Sequence, residues 1–91
     1  MFVLSASTTS FMDVTGLDIQ MYQDVDQNGN PTEAGYQIVG YSFGYSLVLG
    51  KYPTVELAKM VFDDMLASIK KDKSFYDVRA EQEKFIGRQG Q

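Results

Sequence analysis

The residues best suited to chemistry in this 91-residue chain form one short acidic stretch, DVDQNG at residues 24–29. Its two carboxylates, its amide and its glycine have the spacing of the first half of an EF-hand loop, whose oxygen ligands surround Ca²⁺. Asp24, Asp26 and Asn28 are therefore candidate calcium ligands. The twelfth position of such a loop should be a bidentate Glu, but it is Gly35 here. Because Asn-Gly also favours a tight turn, a solvated hairpin is the alternative.

Other groups that catalyse reactions are scarce in this composition. The chain contains no His and no Cys, which removes the usual general base near neutral pH, the thiolate nucleophile and most ligands of transition metals. The adjacent carboxylates Asp63 and Asp64 point about 100° apart on a helix and cannot act together on one substrate. The sequence therefore predicts a protein that is not an enzyme and that needs no cofactor.

Aromatic residues are the second group with functional potential. They could stack on nucleic-acid bases, but RNA-binding strands also use basic residues, and no Lys or Arg precedes Lys51. Most of these side chains are expected to pack in the core. Any that stay exposed would suit a protein interface, where Tyr is enriched. The candidate contact residues are Tyr36, Tyr41, Phe43 and Tyr45.

Charge is distributed unevenly, with a net charge of −4. The first 50 residues contain no Lys or Arg, and all 8 basic residues lie at Lys51 or later. An acidic surface repels phosphate, so nucleic acid is not an expected partner. One interpretation of this pattern is an acidic inhibitor, which binds a basic host protein in place of nucleic acid. The acidic residues of the first half are Asp13, Asp18, Asp24, Asp26 and Glu33.

The hydrophobic pattern predicts the elements that position these residues. Residues 42–44 are expected to form a tight turn between two strands, and the alternative is the middle of one long bent strand. The Asn-Gly stretch is expected to form a second turn. Residues from about Thr54 to Lys73 form a helix in this interpretation, with Thr54 as its N-cap and Ser68 on its polar side. Its apolar stripe consists of Ala58, Val61, Phe62, Met65, Leu66 and Ile69. The predicted strands cover about 2–5, 11–14, 17–23, 36–41, 45–49 and 75–78.

These elements predict an α+β fold. It is a small antiparallel sheet of about four or five strands, with the one amphipathic helix, residues 54–73, packed on one face. Residues 1–78 are expected to form a single domain, and residues 79–91 a C-terminal tail that is partly helical or disordered. One helix covers only about two to three strands, because it is 10–12 Å wide and strands lie about 4.8 Å apart. Part of the sheet should therefore remain available to a partner.

The stretch LGKYPTVELA, from Leu49 to Ala58, resembles a segment of a family of short uncharacterised proteins of Gram-positive bacteria and their phages. That segment is Leu-Gly-x-Tyr-x-Thr-x-Glu-x-Ala, followed by an apolar helix and a Tyr-containing return strand, here with Tyr76. The chain departs from the family in the turn after its opening strand and in a longer segment at residues 24–35. The resemblance implies a prophage or mobile-element setting and implies no activity. The matching residues are Leu49, Gly50, Tyr52, Thr54, Glu56 and Ala58.

The sequence thus predicts a cytoplasmic, non-enzymatic protein-interaction module. Its partner is another protein, with a second copy of the chain (a homodimer) among the options, and a membrane is not expected to be involved. Residues 1–4 are too short and uncharged for a signal peptide, and no apolar run is long enough to span a bilayer. The alternatives are an ion- or ligand-binding module built on the Asp24–Gly35 loop and the acidic inhibitor.

Overall fold

The computed structural model describes residues 1–7, 10–71, 73–81 and 83. Of the predicted tail, residues 79–81 and 83 are helical, and residues 82 and 84–91 lie outside the described residues. No helix of the described part is long and apolar enough to cross a membrane. The α+β class is confirmed. The elements are β1 (Phe2–Leu4), β2 (Phe11–Asp13), β3 (Gly16–Val25), β4 (Pro31–Ser42), β5 (Tyr45–Tyr52), α1 (Val55–Lys70) and β6 (Phe75–Asp77).

The strands form two sheets, each with three strands, in the orders β2-β1-β6 and β3-β4-β5. The prediction of one antiparallel sheet with four or five strands is therefore wrong. β6 returns after α1 and pairs with β1 in parallel, with Phe2 beside Phe75. A parallel pair needs a long crossover, which here includes most of the chain. Local hydrophobic patterns contain no information about such a distant pairing.

The larger sheet consists of two consecutive hairpins. β3 and β4 are joined by residues 26–30, and β4 and β5 by the turn at residues 43–44 that the sequence predicted. In the centre of the sheet Ile19 lies opposite Ile38, and Ile38 lies opposite Gly50. At its distal end the first hairpin continues as an arm, residues 23–34, in which every residue is exposed. The two turns thus connect a three-stranded sheet that is buried near its centre and exposed along the arm.

The helix α1 begins where its cap predicts. Thr54 has an extended backbone, and its Oγ1 accepts a hydrogen bond from the Leu57 N–H at 3.2 Å, which satisfies one of the free donors at the helix start. Glu56 lies in the first turn, at the positive end of the helix dipole. The helix ends at Lys70, three residues before the predicted end at Lys73.

The buried side of α1 is rotated from the predicted apolar stripe. Leu66 and Ile69 are 36% and 39% exposed, whereas Ser68, expected on the polar side, is buried at 4%. Ser68 is tolerated there because its hydroxyl donates to the Asp64 carbonyl oxygen at 2.9 Å. The helix therefore places one apolar edge outside the core. Its buried residues are Leu57, Ala58, Val61, Met65 and Ser68, and the strand and C-terminal residues of the core cluster are Val3, Met12, Val14, Ile38, Leu49, Tyr52, Tyr76 and Val78.

The segment from Leu49 to Ala58 has a structural role at each step. Leu49 and Tyr52 are 1% exposed and Ala58 is fully buried. The ring of Tyr52 folds back over Gly50, and a Cβ atom at Gly50 would overlap that ring and its hydroxyl. Because Thr54 then caps α1, the segment joins the end of β5 to the helix through buried contacts. Packing and capping account for its residue types.

Candidate interaction surfaces

The structure divides the four predicted contact residues into two groups. Tyr41, Phe43 and Tyr45 lie at the β4–β5 turn and are 37%, 90% and 59% exposed. Tyr36 lies earlier on β4. Its side chain is on the opposite face from that of Tyr41, because the two residues are five positions apart and side chains alternate along a strand. It is half-buried and packs against the core. Three of the four residues therefore share one region, and Tyr36 is not part of it.

Phe43 occupies an unusual position in that turn. Phe43 and Gly44 both have positive φ, 22° and 90°. Glycine adopts such angles freely, but a Phe there costs on the order of 1 kcal/mol, and tight hairpin turns prefer Asn or Gly instead. Folding alone does not account for an aromatic ring at this position, 90% exposed to solvent. The turn is thus a candidate contact site.

The acidic side chains of the larger sheet have partners within the chain. Gln20 Nε2 donates to the Tyr41 hydroxyl at 2.9 Å and to Asp18 Oδ2 at 3.3 Å. Lys51, on β5, places its Nζ 4.0 Å from Asp24 Oδ2. This face is therefore a mixed polar surface in which at least two carboxylates are engaged locally. The acidic-inhibitor interpretation stays a prediction.

The candidate calcium stretch closes the end of the arm. Asp26 Oδ1 accepts the backbone N–H groups of Asn28 at 2.8 Å and of Asn30 at 3.0 Å, which is how Asp stabilises ordinary turns. Gly29 supplies the positive φ, 80°. Over the described ranges, no three His, Cys, Asp or Glu side chains are grouped so that they could hold a metal. The geometry gives Asp26 a turn role, and calcium binding stays a prediction.

A third aromatic group, which the sequence did not identify, lies on the outer face of the smaller sheet. Phe2, Phe11 and Phe75 are 46%, 64% and 53% exposed. The register places Phe2 directly beside Phe75, and the ring centroid of Phe11 lies 6.0 Å from that of Phe2. We call these three residues the phenylalanine face. It is an apolar patch on strands whose other side already lies in the core.

The neighbours of these phenylalanines explain why the face escaped prediction. Val3, Met12 and Tyr76 alternate with them and are 0%, 2% and 2% exposed, so each of the strands β1, β2 and β6 has a buried apolar residue on one side and an exposed Phe on the other. A sheet with one face in solvent normally alternates apolar and polar residues. The sequence does show that this alternation is lacking in residues 2–4 and 11–12. The lack indicates an exposed apolar face only when the fold shows that nothing covers the outer side of the sheet.

The corners of the phenylalanine face are acidic. The register places Asp13 beside Phe2 and Asp77 beside Leu4, at opposite corners of the same side. Asp13 Oδ1 lies 3.1 Å from the N-terminal amino group of Met1, and its side chain is 54% exposed. The surface is therefore an apolar centre between two carboxylates.

A groove runs between the start of β3 and the exposed edge of α1. It has a volume of about 210 Å³. Leu17 forms its strand side, and the half-exposed edge of the helix forms the other side through Phe62, Leu66 and Ile69. β3 is an edge strand, because its sheet has the order β3-β4-β5. An apolar groove thus lies directly beside a strand edge.

The ionisable groups with the most strongly shifted pKa values lie in the core. Burial raises the pKa of Tyr52 far above its usual value of 10. Burial and a 2.6 Å hydrogen bond to Asp64 Oδ2 raise the pKa of Tyr76 in the same direction. Both phenols stay protonated near neutral pH and are almost fully shielded from solvent. They stabilise the interior and are out of reach of a substrate.

No family model matches the chain, and no curated protein or solved structure matches it at a significant level.

Proposed function

We propose that the chain is a non-enzymatic protein-interaction module and that the phenylalanine face is its principal contact surface. One observation carries the proposal: three phenylalanine rings, each about half exposed, lie together on one side of a three-stranded sheet. Complete burial of a Phe side chain contributes about 1.5–3 kcal/mol, so covering the remaining half of three rings would contribute roughly 2–5 kcal/mol. Exposed apolar patches of this kind mark interaction sites.

The chemistry of the partner follows from the edge of the face. Asp13 and Asp77 flank the rings, so a matching protein surface is apolar in its centre and has Lys or Arg at its rim. A nucleic acid is not the proposed partner, because its phosphates would be repelled by these carboxylates. The absence of Cys fits a reducing compartment, and a cytoplasmic location is part of the proposal.

The residue types support a non-enzymatic role. The chain lacks His and Cys, and the two phenols with raised pKa values, Tyr52 and Tyr76, are buried and protonated. General acid–base catalysis needs a group that exchanges protons near the working pH and reaches the substrate. Neither phenol meets that requirement.

The test compares two double variants that each remove two exposed aromatic rings. Phe11→Ser with Phe75→Ser changes the phenylalanine face, and Phe43→Ser with Tyr45→Ser is the matched control at the other aromatic site. Each tagged protein is used to capture partners from an extract of the source organism, with circular dichroism as the check on folding. We expect one partner in stoichiometric amount with the wild type and the control, and at least about tenfold less with the face variant, which corresponds to about 1.4 kcal/mol.

Three results would contradict the proposal. Equal capture by the face variant and the wild type would show that the phenylalanine face is not the contact. Loss of capture with only the control variant would assign the contact to the β4–β5 turn instead. If chemical cross-linking in the extract finds no stoichiometric partner for the wild type, the interaction module itself is wrong.

A further inference from the structure

The outer edge of β3 is open to another strand. Among the described strands β3 pairs only with β4, and residues 16–25 contain no Lys, Arg or Pro. Edge strands that must stay unpaired are usually protected by such residues or by a bulge. The one irregularity of β3 lies between Gln23 and Val25, at its distal end. Asp18 is the one charged residue from Gly16 to Gln23, so only this carboxylate protects the edge of that stretch.

The side chains beside this edge are apolar on the helix side. Met21 is 78% exposed and lies on the same side of β3 as Ile19 and Leu17, because strand residues alternate. Leu17 lines the groove against α1, whereas Met21 lies four residues further along and outside that groove. The exposed side chain of Met21 and the open apolar groove beside Leu17 thus lie along the same edge of β3, four residues apart.

We propose that a second copy of the chain occupies this edge, with the two β3 strands paired in antiparallel orientation about a two-fold axis at Ile19. In this register Met21 of each copy lies opposite Leu17 of the other copy. It can then enter the groove formed with Phe62 and Leu66. Met21 of each copy fills the groove of the other copy, so the two-fold axis repeats the same contact twice. This surface is separate from the phenylalanine face and goes beyond the proposed function.

The charges along β3 select this register. With the axis at Ile19, Asp18 lies opposite Gln20 of the other copy, and Gln20 is already a donor to Asp18 in its own strand at 3.3 Å. The amide group of Gln20 has two N–H donors, and one of them is held by the Tyr41 hydroxyl at 2.9 Å. In the dimer its other N–H can donate to Asp18 of the other copy in place of the longer bond to its own Asp18. With the axis at Met21, Asp18 would lie opposite Asp24, and like charges directly opposite each other are destabilising. With the axis at Gln20, Met21 would lie opposite Ile19 and away from the groove.

The arrangement also keeps the two helices apart. The groove and the edge of α1 lie beside the first residues of β3, and antiparallel pairing places the first residues of the two strands at opposite ends. The product is one six-stranded sheet. The contact consists of residues 16–22 of each β3 strand and the groove residues, fewer than the 20–30 residues per side of a standard interface. We therefore expect a weak dimer, with a Kd of about 1–100 µM.

Sedimentation velocity over concentrations from about 1 µM to 1 mM tests the dimer. The informative variant is Met21→Asp, which changes an exposed side chain and leaves the core intact. The matched control is Val25→Asp, on the same strand, 60% exposed and beyond the irregularity. We expect a reversible dimer for the wild type and Val25→Asp, and at least a tenfold higher Kd for Met21→Asp.

The register is tested separately with thiols, since the chain has no Cys. A two-fold axis at Ile19 places the two Cβ atoms of this residue about 4.5–5.5 Å apart, and Cβ atoms in a disulfide lie 3.5–4.5 Å apart. Mild oxidation should therefore link Ile19→Cys into a covalent dimer and leave Val25→Cys monomeric. Because Ile19 contacts the core, hydrogen exchange of the wild type provides a second measurement. The amides of residues 16–23 should be more protected at high concentration than at low concentration.

Three results would overturn the inference. They are a monomeric wild type at about 1 mM, an unchanged Kd for Met21→Asp, and a dimer that is lost in the Phe11→Ser, Phe75→Ser variant while Met21→Asp retains it. The first two leave the phenylalanine-face proposal untouched, because Met21 is not part of that face. The third would assign self-association to the phenylalanine face.

Discussion

β4 passes through two different environments, the interior under α1 and the arm of residues 23–34. Ile38 and Gly40 are buried in the interior, whereas residues 31–34 of the same strand are exposed. In the interior, the strand is held by side-chain packing and capping. In the arm, it is held by the backbone ladder and one turn. We therefore expect the interior to set the stability of the fold and the arm to tolerate substitution without unfolding the protein.

Alkaline pH should have the largest effect on the interior. The raised pKa values of Tyr52 and Tyr76 mean that both stay protonated in the folded protein above pH 10, where unfolded tyrosines lose their protons. The folded state then binds more protons, so the contribution of these two phenols to the free energy of unfolding is fully present below about pH 10 and falls above it. Each tyrosine contributes up to about 1.4 kcal/mol per pH unit.

Urea unfolding between about pH 8 and pH 11.5, followed together with tyrosinate absorbance, measures this effect. Tyr52→Phe is the control, because it removes one of the two titrating groups and should halve the slope. A free energy of unfolding that stays constant above pH 10 would show that these phenols are less shielded than the structure indicates.

The next largest effect is expected for Gly50→Ala. The added Cβ atom would overlap the ring of Tyr52, and overpacking of this kind destabilises by about 1–3 kcal/mol. Gly16→Ala is the matched control in the same sheet, since a Cβ there meets Tyr41 at an ordinary distance of 3.7 Å. Chemical denaturation should show a loss for Gly50→Ala and a change within about 0.5 kcal/mol for Gly16→Ala. Equal effects would mean that Tyr52 does not depend on Gly50.

Tyr76→Phe is expected to destabilise the fold by an amount similar to Gly50→Ala. It removes the 2.6 Å hydrogen bond to the Asp64 carboxylate, and hydrogen bonds to charged groups contribute about 1.5–3 kcal/mol. Tyr52→Phe is again the control, because the Tyr52 hydroxyl is buried and has no hydrogen-bond partner among the described residues. Its removal should leave stability unchanged or slightly increased. A comparable loss for the two variants in thermal unfolding would show that the Tyr52 hydroxyl does have a partner.

The same comparison shows what the sequence could predict. Features set by neighbouring residues were found correctly: the Thr54 cap, the turn at residues 43–44 and the hairpin at Gly29 each depend on a few adjacent side chains. The pairing of Phe2 with Phe75 was missed, because it depends on a crossover that brings distant residues together. Ser68 was placed on the wrong side of α1, since its bond to its own helix backbone is invisible in a hydrophobic pattern.

The candidate site shows the same limit. Three of the predicted contact residues meet at the β4–β5 turn because they are adjacent in the chain, and hairpin geometry keeps them together. The phenylalanine face is assembled from three separate strands, two of them beside each other only through tertiary pairing. Its residues look like ordinary core residues in the sequence. Only the fold reveals which side of each strand is left uncovered.

The smallest effect is expected in the arm, for Asp26→Ala. This change removes the acceptor of two backbone N–H bonds in the turn, but the turn is exposed and water can replace the lost acceptor. Global unfolding in urea should change by less than about 0.5 kcal/mol, while amide exchange of residues 23–34 should become several-fold faster. Asp24→Ala is the control, because its 4.0 Å contact with Lys51 is at the surface and such pairs contribute little.

Global unfolding in urea and amide exchange of residues 23–34 together show whether the arm unfolds with the interior. If Asp26→Ala lowers global stability as much as Gly50→Ala does, the arm and the interior unfold as one unit. If only local exchange changes, β3 has a stable part beside the core, where the dimer edge lies, and an independent distal part. Pairing of β3 through Gly16–Gln23 would then survive Asp26→Ala, and the Kd from sedimentation should be the same as for the wild type.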